Sequence, residues 1–141
     1  MDFKLELVIL PVADVDRAKA FYVDQAGFQL DVDHRAGGRR LPCRPADAVG
    51  LCVLDRDRRR ITSADPGSVR DLHLSVDDIV VARDELVARG VEVGELHHFG
   101  SAERESGVHP ERADYNSFAQ FADPGGNVWL LQERGYEGGP S

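Results

Sequence analysis

The chain repeats itself, and that repeat constrains its fold more than any other feature. Leu10-Pro-Val-Ala-Asp14-Val15-Asp-Arg-Ala18-Lys-Ala-Phe-Tyr22 aligns with Leu74-Ser-Val-Asp-Asp78-Ile79-Val-Val-Ala82-Arg-Asp-Glu-Leu86 at a constant offset of 64. In both copies a short apolar strand stops at an aspartate placed to cap the helix that follows, by accepting an amide hydrogen bond from its unsatisfied first turn. The first helix is predicted over about Val15 to Gln25, with Val15, Ala18 and Tyr22 on one stripe. The second is predicted over about Ile79 to Arg89, with Ile79, Ala82 and Leu86 repeating that stripe. Gly27 and Gly90 then supply a left-handed stop.

After each helix the apolar period changes to two, at Phe28, Leu30 and Val32 and again at Val91 and Val93, so each copy is expected to continue into strands. The second copy closes with Ser117 to Ala122, a turn Asp123-Pro-Gly-Gly-Asn127, and Val128 to Gln132. This is a hairpin joined by residues that tolerate unusual dihedrals. A less regular counterpart spans Leu41 to Leu54. The expected organisation is one domain over 1–141, with modules at about 4–62 and 69–134, a linker Ser63 to Ser68 and a frayed tail Gly135 to Ser141. The polar insertion Gly100 to Asn116 has the length of a lid, a binding loop or a disordered segment.

Charge narrows the partners. With 17 Lys+Arg against 25 Asp+Glu in 141 residues, the formal charge of −8 argues against nucleic acid, which demands clustered cations. The basic run Arg56 to Arg60 is read as a solvated loop, with an anion contact as the alternative. The first apolar run, Leu5 to Val12, is short and strand-like, so neither a secretory signal nor a membrane span is expected. Cys43 and Cys52 are then expected as thiols in a reducing, cytoplasmic setting.

Taken together, the Leu10 to Tyr22 motif, Gly27-Phe28, and Phe121-Ala-Asp-Pro-Gly-Gly-Asn-Val-Trp-Leu-Leu131 resemble the vicinal oxygen chelate superfamily, the group of glyoxalases, bleomycin-resistance proteins and extradiol dioxygenases, across about Leu5 to Glu133. The resemblance implies an α+β fold of two tandem βαβββ modules whose curved mixed sheets enclose a cleft, commonly in a homodimer. It also implies a divalent metal held by His, Glu or similar ligands from both modules. At the matching positions this chain departs from the pattern. The first ligand position is Leu7 and the last is Leu130, neither with a lone pair, while the second-copy equivalent of Leu7 is Asp71 and the first module's closing strand offers only Cys52. A catalytic divalent ion usually takes about three protein ligands. A relocated set of Asp71, His73, His97 and His98 is hampered because adjacent strand residues point to opposite faces. No metal and no other cofactor is therefore expected.

If Leu7 and Leu130 face the cleft, alternation brings Ile9 and Val128 with them and the lining is aliphatic. Asp71, His73 and Ser75 form a polar stripe on one strand, with His73 as hydrogen-bond partner or general base and Asp71 tuning it. Phe118 and Gln120 are expected to point inward, Trp129 to pack beneath a helix, and Tyr115 to close over a ligand. Scattered His98, Phe99 and His109 are read as loop residues. There is no Gly-x-Ser-x-Gly elbow, and Gly37-Gly38 and Gly125-Gly126 lack the Lys-Ser/Thr of a phosphate loop.

The function expected from this reading is capture of a small apolar or aromatic molecule without the usual metal site. The alternative is a lyase, isomerase or dioxygenase with a displaced metal or an Asp71/His73 acid-base pair. A third class is an interaction protein whose cleft is vestigial.

Overall fold

The computed structural model describes residues 1–3, 7–30, 40–44, 50–54, 64–101 and 103–137. For Leu7, Leu30, Arg40, Leu41, Pro42, Arg44, Cys52, Val53 and Leu54 it describes the backbone alone. The basic run Arg56 to Arg60 and the closing turn of the first hairpin lie outside the described residues. The chain divides into two compact units, Met1–Val69 with Asp123–Asn127, and Arg70–Ala122 with Val128–Ser141.

The first unit comprises β1 (Leu7–Pro11), α1 (Val15–Lys19) running on as a π-helical stretch Ala20–Gln25, β2 (Gln29–Leu30), β3 (Arg40–Arg44) and β4 (Gly50–Leu54), in sheet order β1-β4-β3-β2. β1 runs parallel to β4 and the other pairs are antiparallel. Asp14 accepts from the Arg17 amide at 3.1 Å, the cap its sequence position called for. The wider π turn carries two adjacent aromatics, Phe21 and Tyr22, into the core beside Leu10, Val12, Ala18 and Phe28. Tyr22 meets the Phe21 ring edge-on at 5.0 Å and Phe28 at 5.3 Å.

The Asp-Pro-Gly-Gly-Asn turn groups with this unit, and its sequence has a structural explanation. Buried Asp123 accepts from the Gly125 and Asn127 amides through Oδ1, and from the Tyr22 hydroxyl at 2.6 Å and Asn127 Nδ2 through Oδ2. Asn127 Nδ2 also donates to the Pro11 carbonyl, as does the Gly67 amide. Gly67 sits at φ 78, where a Cβ would stand 2.1 Å from the Gly125 carbonyl oxygen. Only glycine meets both demands.

The second unit comprises β5 (Leu72–Val76), α2 (Ile79–Ala88), β6 (His97–Phe99), β7 (Arg104–Ser106), β8 (Phe118–Ala122) and β9 (Val128–Glu133), in order β5-β9-β8-β6-β7. β5 is parallel to β9, repeating β1 on β4. The wiring is that of the first unit with β7 added from the insertion, so the fold is α+β with a duplicated βαβββ plan. Asp78 caps α2 through the Val80 and Val81 amides. Among the described residues no helix is long and apolar enough to cross a membrane.

One sequence expectation is corrected here. Val91 and Val93 do not open a strand: Val93 makes a single bridge to Phe121, and the strand begins four residues later at His97. The Arg83 guanidinium, from α2, takes the Val93 and Gly94 carbonyls at 3.1 and 2.8 Å. The insertion is also not a bare loop. It contributes β7 and pins its second half to the rest of the unit through Arg112.

Candidate functional site: the open face of the second sheet

Alternation sorts the second sheet into two faces. Ala119, Phe121, Trp129, Leu131 and Glu133 are buried on the face that carries α2, with Phe121 and Trp129 stacked at 6.3 Å. The other face holds the candidate residues, and the register groups them in rows. His73 on β5, Leu130 on β9 and Gln120 on β8 are direct neighbours. Ser75, Gln132, Phe118 and His97 make the next row across four strands, and half-buried Val128 precedes Leu130 by two residues on the same face.

This surface ends in an aromatic cluster. The His97 ring stacks on Phe118 at 5.5 Å and 27°, and Phe99 stands edge-on to both, at 5.9 Å from His97 and 5.7 Å from Phe118. His97 and Phe118 are buried, while Phe99 keeps half of its surface open to solvent. Burial is the main cause that holds the His97 imidazole below its ordinary range. The contact to the Glu95 carbonyl opposes it, and the neighbouring Arg104 and His98 add smaller effects in the same direction as burial. His97 also lines a shallow cavity of about 240 Å³ with Glu95, Leu96, Arg104, Glu105 and Ser106.

His98 points the opposite way from His97, as adjacency in a strand requires. Its Nδ1 lies 2.8 Å from the Gly107 carbonyl and its Nε2 3.0 Å from Glu105 Oε2. The His109 ring meets it edge-on at 5.7 Å, and His109 Nδ1 accepts from the Glu111 and Ala113 amides. These contacts tie the insertion together rather than aim a donor at a ligand.

The insertion is anchored by Arg112, which bonds both oxygens of fully buried Glu133 (2.7 and 2.5 Å) and reaches Asp78 at 3.4 Å. The Tyr136 ring lies 3.6 Å from its guanidinium carbon. Glu133 Oε2 also accepts from the Ile79 amide at the start of α2. The bidentate carboxylate pushes the Arg112 guanidinium further above its ordinary range, against the effect of burial.

Placement of the remaining candidates differs from residue to residue. Asp71 stands before β5 at φ 62, so strand alternation does not carry through it to His73. Its main-chain carbonyl lies 2.8 Å from His73 Nδ1. His73 is exposed. Tyr115 is also exposed, at φ 65, with the Arg134 guanidinium 5.7 Å from its ring. Ile9 is half-buried on β1 of the first unit, paired with Cys52 on β4. Leu7 lies two residues earlier on the same strand, and the side chains of Leu7 and Cys52 are outside the described set. The sequence reading passed over His97 and Phe99 as members of this face. Their His-x-Phe spacing carries the period of two, but only the pairing of His97 with Phe118 shows which way it points.

The duplicated βαβββ units, one with a face of imidazole, amide and aromatic rings, define an α+β fold with an internal repeat. A family profile of the Glyoxalase/Bleomycin resistance protein/Dioxygenase superfamily matches residues 4–131, and the chain belongs to that superfamily. Among solved structures it is similar to TnmS3, an antibiotic binding protein from Streptomyces sp. CB03234, at 32% identity and TM-score 0.69, covering 94% of this chain and 96% of that one. It is also similar to a glyoxalase/bleomycin resistance protein from the same organism, at 33% identity and TM-score 0.65, covering 92% and 99%. The uncharacterized protein YetH of Bacillus subtilis (strain 168) is 26% identical over 129 residues, 89% of this chain and 94% of its own.

Among the described residues the donors present do not fit the divalent metal that the resemblance implies. Leu130, where the resemblance implies the last ligand, stands between His73 and Gln120 and offers only hydrocarbon. Among the described residues no three His, Cys, Asp or Glu side chains are grouped to hold an ion.

Proposed function

We propose that this protein captures a small apolar or aromatic molecule on the face built by His73, Ser75, Phe118, Gln120, Val128 and Leu130, extended by His97 and Phe99, without a metal and without transforming what it binds. The single observation that carries the reading is Leu130 in the middle of that face, between His73 and Gln120 and beside an aromatic cluster that supplies stacking surface. Apolar contact contributes about 25 cal/mol per Å² of buried area before the costs of association, and amide and imidazole groups orient the ligand. The antibiotic-binding description of TnmS3, at 32% identity, supports a small-molecule ligand for this chain. Leu7, Ile9 and Cys52, the binding residues expected from the sequence on β1 and β4, belong to the first unit. A homodimer in the cytoplasm is its proposed setting.

Capture is favoured over conversion because an acid-base pair of His73 and Asp71 needs the carboxylate at the imidazole, and the carbonyl stands there instead. The test is incubation with a panel of aromatic natural products, followed by mass spectrometry of the bound fraction. The reading expects ligand to be recovered unchanged; turnover of a bound compound contradicts it.

A further inference from the structure

The aromatic end of the face is set from outside its own strands. β8 pairs with β6 only at Phe118 and His97. In that antiparallel register the next partner of Phe99 is Asn116, but the chain turns there, with Tyr115 at φ 65, and the two main chains do not pair. The Asn116 side chain takes the place of the ladder. Its Oδ1 accepts from the Phe99 amide and its Nδ2 donates to the Phe99 carbonyl, both at 2.9 Å. One primary amide thus satisfies both main-chain groups of the residue whose ring stands half exposed against His97 and Phe118. Asn116 closes the anchored insertion, where the Tyr115 amide donates to the Glu133 carbonyl and Arg112 grips the Glu133 side chain.

We infer that Asn116 is a positioning residue that holds the Phe99 ring as the open end of the aromatic row, and so makes this face select flat, unsaturated ligands over saturated ones of equal size. The inference rests on the capture reading and adds to it a specificity determinant that touches no ligand. Edge-on and offset ring contacts add roughly a few-fold to tenfold in affinity beyond the area they bury. A saturated ring system gains only the area.

The experiment titrates wild type, Asn116→Ala, Asn116→Asp and Phe99→Leu with 2-naphthol and with decahydro-2-naphthol, which share a hydroxyl and a two-ring skeleton. Amide NMR spectra report both folding and binding. Wild type is expected to favour 2-naphthol by about three- to tenfold. Phe99→Leu should remove most of that ratio, and each Asn116 variant should at least halve it. Asn116→Asp keeps the acceptor for the Phe99 amide and supplies a second variant should Asn116→Ala unfold. The double variant Asn116→Ala/Phe99→Leu should show the same ratio as Phe99→Leu alone, since both act through one ring. A wild-type ratio in the Asn116 variants, or a further fall in the double variant, overturns the inference. In the ligand-free protein, loss of the Phe99 to Phe118 ring cross-peaks in Asn116→Ala upholds the positioning role, and their retention refutes it. Should wild type bind neither probe, the capture reading fails and the selectivity with it, while the cross-peaks still decide what Asn116 does.

Discussion

Removing the Arg112 guanidinium should be among the most damaging single changes available in the second unit. Glu133 is fully buried and stays there in Arg112→Ala, because β9 and the Ile79 amide still hold it. Two charge-assisted bonds at 2.7 and 2.5 Å vanish, together with the Tyr136 contact. Breaking one partner out of a buried pair typically costs about 3–5 kcal/mol, because the other charge is left without compensation. Glu133→Gln should cost less, about 1–3 kcal/mol, since Arg112 is partly exposed and water can reach it. Arg112→Ala combined with Glu133→Leu should recover part of the loss, because an apolar replacement of both partners removes the stranded charge. Urea titration followed by circular dichroism measures all three, and at about 3 °C per kcal/mol for a chain of this size the first should melt about 10 °C lower. A loss below about 1 kcal/mol for Arg112→Ala would refute the argument that Glu133 depends on it.

Three further outcomes follow from the same reasoning. Gly67→Ala combines a left-handed backbone with a Cβ 2.1 Å from the Gly125 oxygen, so thermal unfolding should show a loss of about 2–5 kcal/mol; a neutral result would mean the turn moves aside freely. Tyr22→Phe strips one of four donors from buried Asp123 and should cost about 1.5–3 kcal/mol in denaturant midpoint, with no change in slope. Burial lowers the His97 pKa, so its neutral form is the one folding favours. Its contribution is fully present above the unfolded value near 6.5 and is lost as pH falls toward the lowered folded value. A His97→Phe variant should therefore lose less stability than wild type between pH 7 and pH 5, and parallel curves would show that His97 has no such role.

Local signals carried most of the fold. The aspartate caps at Asp14 and Asp78 and the Asp123 to Asn127 turn are written in adjacent residues, and each formed where its neighbours placed it. The pairing of Phe118 and Gln120 on the Leu130 face was also legible, because a hairpin with a short turn leaves little freedom of register. Long-range competition was not. Val91 and Val93 have strand periodicity, yet Arg83 claims the carbonyls that a ladder would use. Asp71 is two residues from His73 and would share its face if extended, but a positive φ ends that inference. The joining of Asn116 to Phe99, or of Arg112 to Glu133, spans 17 and 21 residues with no periodic trace in the chain.

The central claim is that this face binds an organic molecule and does not grip a cation. Elemental analysis of protein purified without chelator, paired with melting curves in added Mn, Fe, Ni or Zn, tests it most directly. Capture without metal predicts well under one equivalent of any transition ion per chain and no specific rise in melting temperature. One equivalent retained through purification, with a melting point raised in keeping with the roughly 3 kcal/mol of added stability expected at a hundredfold excess over the dissociation constant, would contradict it.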